Sequence, residues 1–193
     1  MKINYIIYFL VACIFLVNAC KKETVPVKTI DYKKAEIELI DSMGRLLPGL
    51  WLMKKVDVKP FPSSTNEINI YKDTTLTDLA ILTISYINSN TIPATVKNDV
   101  FGNIRFKNKT YPVGFTMGAN YQRISQKGGG QVFALFEYRF PSGTSHITEP
   151  EENYLSNLTL IGNNYEMEVS KDGKSMVWKG LNRAIKEIRF EKM

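Results

Sequence analysis

Everything after Gly49 reads as strand and turn, with four runs in which apolar residues recur at every second position, and this period of two constrains the fold more than any other feature of the chain. Leu50, Leu52, Val56 and Val58 form one set, with Lys54 and Asp57 assigned to the opposite face. Ala80, Leu82, Ile84 and Tyr86 form a second, and Tyr111, Val113, Phe115 and Met117 a third. Val132, Ala134, Phe136, Tyr138 and Phe140 form a fourth, with Glu137 and Arg139 facing the other way. Successive side chains of a strand point to opposite faces, so each set lines one face of a sheet. Turn signals separate the runs: Asn108-Lys109, Gly128-Gly129-Gly130 and Asp172-Gly173. The last suits a tight type I′ turn joining Tyr165–Ser170 to Ser175–Lys179, because both central residues of that turn need positive φ. Eight to ten strands are predicted. No helix-length pattern separates them, so consecutive strands are antiparallel neighbours. The expected fold is mainly β: an antiparallel meander that closes as a barrel or, alternatively, folds as a β-sandwich.

One helical pattern precedes the strands. Ile40, Met43 and Leu47 lie three and four apart on one stripe, flanked by Leu39 and Leu46. Asp31 can cap the start, Gly44 weakens the end, and Pro48-Gly49 stops it. A short N-terminal helix is predicted over residues 31–47, and residues 31–193 are read as a single barrel-like domain.

The N-terminal residues have a different character. Lys2 is followed by an apolar run from Tyr5 to Val17, then by Val17-Asn18-Ala19-Cys20. The run is too short to cross ~30 Å of hydrocarbon, which needs ~20 apolar residues. A charged head, a short apolar core and a small residue form a signal segment. The order resembles a bacterial lipoprotein signal peptide with residues 17–20 as its lipobox, although Val17 and Asn18 depart from the commonest residues there. The resemblance implies cleavage before Cys20, acylation of Cys20, and a membrane partner reached through that lipid. Residues 1–19 are then the signal peptide and residues 20–30 a lipidated tether. Residues 21–30 extend at most about 35 Å, at ~3.3–3.6 Å per residue. Lys21-Lys22-Glu23 is the local charge cluster beside the lipid. It can touch head groups, and it also resembles the charged signals that send some lipoproteins of Gram-negative bacteria to the cell surface. The expected location is the cell envelope, as an outer-membrane lipoprotein on the periplasmic or the surface side. Cys13 leaves with the signal and Cys20 carries lipid, so neither of the chain's 2 cysteines remains as a free thiol.

The formal net charge is +6, and Lys2 is the only charged residue removed with the signal, which leaves +5. A basic balance can indicate nucleic acid. Here Lys and Arg are scattered among the strands rather than clustered with stacking aromatics, so no nucleic-acid partner is expected. The single histidine, His146, follows the turn-rich Pro141-Ser142-Gly143-Thr144-Ser145, and no strand-to-helix nucleophile elbow accompanies it. Glu149, Glu151 and Glu152 read as a solvated run on a loop rather than as a spaced catalytic pair. Asp73 and Asp78 lack calcium-loop spacing. No enzyme, no cofactor and no metal is expected.

Gly49-Leu50-Trp51 stands between the helix and the meander. A Gly-x-Trp in that position resembles the opening of the first strand in lipocalins. The likeness spans roughly residues 46–193 in order of elements; the family's Thr-Asp-Tyr and its cysteine pair are absent. The closing stretch, Met176 to Gly180 and then Ile185 to Phe190, is similar to the ends of lipocalin-like bacterial lipoproteins. The resemblance implies a lipocalin-like barrel in which Trp51 packs near the closed end, under an arginine that is either Arg183 or Arg189. It also implies non-covalent binding of a small apolar or amphipathic ligand, with Val132, Ala134, Phe136 and Tyr138 as candidate cavity-lining residues. Aromatic residues at alternating strand positions can equally fill a core. A second function therefore stays open: an envelope accessory protein that contacts a glycan or a protein through exposed loops.

Overall fold

The predicted helix is the first described element of the structure, a computed structural model that describes residues 30–86, 98–119, 131–141 and 149–193. Helix α1 spans Tyr32–Leu46, and the Asp31 carboxylate caps it by accepting from the Lys34 N–H at 3.1 Å. Ile40 and Leu47 are buried and Met43 packs against the same core, so the stripe read from sequence is the inward face. Asp31–Met193 forms one compact unit, and of Met1–Ile30 only Ile30 is described. The signal segment, Cys20 and the tether as far as Thr29 therefore lie outside the described residues, as do Gly128-Gly129-Gly130 and His146.

Among the described residues, nine strands follow α1: β1 (Gly49–Val58), β2 (Thr74–Thr77), β3 (Ile81–Tyr86), β4 (Asn98–Phe106), β5 (Lys109–Ala119), β6 (Val132–Tyr138), β7 (Asn163–Val169), β8 (Ser175–Gly180) and β9 (Ile185–Lys192). Every pairing is antiparallel. β1 and β3 to β9 form a meander, and β9 returns to pair with β1 from Trp51 to Val58. That pairing closes an eight-stranded barrel and excludes the sandwich. β2 is the additional strand. It pairs with Lys55–Val58 of β1, while β3 pairs with Gly49–Leu52 on the same edge. Asp78, at φ 50°, marks the bend between them.

β1 corrects the first expected set. Trp51, Met53, Val56 and Val58 are buried, whereas Leu50 is 48% exposed and Leu52 is only half-buried. The register with β9 slips between Met53 and Lys55, leaving Lys54 as an extra residue. A bulge of one residue shifts the side-chain phase, so the odd positions before it and the even positions after it share the inner face. Of the other three sets, Ala80, Leu82 and Ile84, Tyr111, Val113, Phe115 and Met117, and Val132, Ala134 and Phe136 are buried as predicted, while Tyr138 and Phe140 are only half-buried.

Two short helices correct the expectation that everything after Gly49 is strand and turn. Helix α2 (Thr65–Ile68) lies in the β1–β2 connection and α3 (Pro150–Asn157) in the β6–β7 connection. Pro150 occupies the first turn of α3, where its missing N–H costs nothing. The Glu152 carboxylate accepts from the Glu149 N–H at 3.1 Å. The Asp172-Gly173 turn also differs in type. Only Gly173 has positive φ, at 65°, and its N–H closes on the Ser170 carbonyl at 2.9 Å. Asp172 instead accepts from the Ser170 hydroxyl and the Lys174 N–H, at 2.6 and 3.1 Å.

The barrel has an apolar inside and a charged outside. Lys54 and Asp78, Lys55 and Asp57, and Lys179 and Glu168 form ion pairs across the outer surface. That polarity is the inverse of a barrel whose outer face meets lipid. Among the described residues, no helix is long and apolar enough to cross a membrane. α1 lies at the lower end, where β1 begins and β9 finishes. The connections carrying α2 and α3 lie at the upper end, with the β4–β5 and β8–β9 turns.

Candidate functional site

At the lower end, Trp51 is fully buried and its indole N–H donates to the Leu47 carbonyl at 2.7 Å. This bond ties the first strand to the last turn of α1. The cation over the ring is neither arginine suggested by the family resemblance but Lys192, whose Nζ stands 5.1 Å from the ring centroid. Arg183 is exposed, and the Arg189 guanidinium pairs with Glu187 at 2.7 Å. Residues alternate faces along β9, so Arg189 shares the outward face while Ile188 and Phe190 point in. Gly49 has φ 137°, and a Cβ there would stand 2.7 Å from the Lys192 Cε. Gly49 and Trp51 therefore form a structural clamp at the closed end.

The wall expected to line a cavity lies in the packed core. Val132, Ala134 and Phe136 are fully buried. The Phe136 ring lies 5.2 Å from the Trp178 ring and 6.3 Å from Phe115. Trp178 also meets Phe115, Tyr165 and Phe190 at 5.5, 5.3 and 4.9 Å. The gap between Phe136, Phe115 and the β3–β4 wall, about 130 Å³ of interatomic space, has no room for a water molecule. Tyr138 sits higher and half-buried, with its hydroxyl donating to the Glu152 carbonyl at 3.1 Å. Its ring meets Tyr111 edge-on and stacks with Phe140. It therefore belongs to the support of α3.

Open space lies at the upper end, between β2 and α3. A groove of about 680 Å³ is lined by Ile68, Ile70, Tyr71, Lys72, Leu76 and Tyr154, together with Asn69 and Thr74. Cross-strand partners share a face, and Leu76 is paired with the buried Val56, so Leu76 forms the inner wall. Ile68 and Ile70 are buried beneath the groove, while Tyr71 is 66% exposed at its rim. The Tyr154 ring stacks on Phe106 at 5.5 Å with an interplanar angle of 5°, which fixes the α3 side of the groove.

A polar network anchors α3. Glu149 accepts from the Lys109 Nζ at 2.9 Å and from the Tyr111 hydroxyl at 2.8 Å. The Lys109 hydrogen bond, then that of Tyr111, holds the Glu149 carboxyl below its ordinary value. Burial, followed by the bond to Glu149, raises the Tyr111 phenol well above its ordinary value. Glu151 pairs with Lys107 at 3.7 Å. The three glutamates thus serve as helix and turn anchors. Among the described residues, no group of three His, Cys, Asp or Glu is placed to hold a metal ion.

No protein-family model matches the chain, and neither a curated protein nor a solved structure does. The groove residues were not legible as a site, because Ile68, Ile70, Leu76 and Tyr154 come from two connections and one short strand. The available signal was Glu149-Pro150 with Glu152 at the third helical position, which marks a helix start.

Proposed function

We propose that this protein is a lipid-anchored component of the cell envelope, cleaved after Ala19 and acylated on Cys20, that binds a small apolar or amphipathic ligand non-covalently. The observation that carries the binding reading is the groove between β2 and α3. It has apolar walls from Ile68, Ile70 and Leu76 and two tyrosines, and its volume suits a small organic molecule. The Val132–Phe136 wall is filled by its own side chains, so ligand contact falls to the upper mouth. The anchor reading is supported by the residues before Cys20, which resemble a lipobox, and the charged barrel exterior is not a lipid-facing one.

Two measurements test these readings. Cys20→Ala, expressed in a Gram-negative host, leaves the protein unprocessed or soluble; complete partition of that variant with membranes overturns the anchor. Titration with N-phenyl-1-naphthylamine, a neutral apolar dye, gives about one site per chain. Tyr71→Ala with Tyr154→Ala weakens it by about tenfold, on the scale of the ring area withdrawn. No saturable uptake overturns the small-ligand reading. It would favour the alternative, in which the exposed Tyr71 and Phe61 contact a glycan or protein partner.

A further inference from the structure

The groove does not end at β2. Thr74 lines both the groove and a second depression of about 300 Å³ on its far side. The depression is walled by Lys59 and Lys186, with Asp57 and Asp73. The Lys59 N–H donates to the Ala184 carbonyl at 2.8 Å, which joins the end of β1 to the entry of β9 and brings both lysines to one wall. Lys72 lies on the groove itself.

Charge at this double site is unbalanced. Both Asp57 carboxylate oxygens are engaged, one by the Thr75 hydroxyl at 2.6 Å and the other by the Lys55 Nζ at 2.9 Å. Among the described residues, Lys59, Lys72 and Lys186 enter no ion pair; the Lys186 Nζ donates to the Arg183 carbonyl at 3.0 Å. Asp73 is the one carboxylate of the depression without such a partner. Lys59 and Lys186 thus share the depression with one uncommitted acid, Asp73, and Lys72 lines the adjoining groove with its apolar floor. Positive charge at the rim of an apolar cleft concentrates and orients anions whose bodies fit the cleft.

Resting on the groove as the binding site, we propose that its ligand is an amphipathic anion. Its apolar or aromatic body seats on Ile68, Ile70 and Leu76 between Tyr71 and Tyr154. Its carboxylate, sulfonate or phosphate head is held by Lys72, with Lys59 and Lys186 supplying the surrounding field.

Two dyes with one body separate the head from the cleft. N-phenyl-1-naphthylamine is neutral, and 1-anilinonaphthalene-8-sulfonate is the same aromatic body with a sulfonate. The protein is the chain from residue 20 onward carrying Cys20→Ala, which keeps the whole compact unit Asp31–Met193. The sulfonate dye binds about fivefold more tightly at low salt, and the advantage disappears at about 0.5 M salt, where charges are screened within a few ångströms. The triple variant Lys59→Gln, Lys72→Gln, Lys186→Gln loses the roughly fivefold preference for the sulfonate dye over the neutral one, and Lys59→Gln with Lys186→Gln, which leaves the groove lining intact, loses part of it. Equal affinity for both dyes, insensitive to the triple variant, overturns the anionic class and leaves the groove standing. Binding of both dyes that ignores Tyr71→Ala and Tyr154→Ala overturns the groove, and this proposal with it.

Discussion

The Lys192 ammonium lies 5.1 Å above the centre of the Trp51 indole and also donates to the Leu46 carbonyl at 3.3 Å. One side chain from the last strand therefore covers the first strand's tryptophan and meets the negative end of α1. The indole in turn donates to Leu47. Helix, first strand and last strand are fastened at the point where the barrel closes.

Truncation of the two partners separates packing from charge. Trp51→Ala costs about 3–5 kcal/mol, the range for a buried aromatic. Lys192→Met costs about 0.5–1 kcal/mol, the scale of an exposed cation–π contact. In a double-mutant cycle by urea unfolding, the second change costs less once Trp51 is gone. A melting curve unchanged by Trp51→Ala contradicts the clamp.

Gly49→Ala is destabilising by about 1–3 kcal/mol, because a side chain at φ 137° is strained wherever its neighbours move. The contact with Lys192 involves the far end of a flexible chain and can give way. Denaturant unfolding of Gly49→Ala should therefore show nearly the same loss in a Lys192→Ala background. Full rescue by that second change would place the cause in the contact instead.

Trp178 is the hub of the interior rings, and its Nε1 is buried with no hydrogen-bond partner among the described residues. Trp178→Ala costs about 3–5 kcal/mol. Trp178→Phe removes the unpaired N–H along with part of the ring, which offsets some of the lost packing. Calorimetry should place it well above the alanine variant in Tm. Equal Tm values for the two would show that an aromatic ring at this position contributes little to packing.

Glu149 makes stability depend on acid. Its folded pKa lies below the ordinary 4.5, so the unfolded state takes up the proton first. The stabilisation is present in full above 4.5 and is lost as pH falls through the depressed folded value. Glu149→Gln should lower Tm at pH 7, with the gap to the parent chain narrowing below about pH 4.5. A gap that stays constant across that window would show that the carboxylate's charge is not what holds Lys109 and Tyr111.

The sequence by itself determined the alternating strands from Ala80 onward and the capped helix after Asp31, because each depends on neighbours a few residues away. The tertiary structure decided what local pattern cannot carry. The phase of β1 depends on the bulge at Lys54, which exists only in the pairing with β9. Barrel rather than sandwich rests on the same β1–β9 pairing between distant segments. Val132, Ala134 and Phe136 were legible as inward-facing, yet only the convergence of Phe115, Tyr165, Trp178 and Phe190 makes that wall a core rather than a cavity. The groove has the same origin. Ile68, Leu76 and Tyr154 meet because β2 and α3 flank one mouth of a closed sheet, and closure depends on long-range pairing that no stretch of the chain encodes alone.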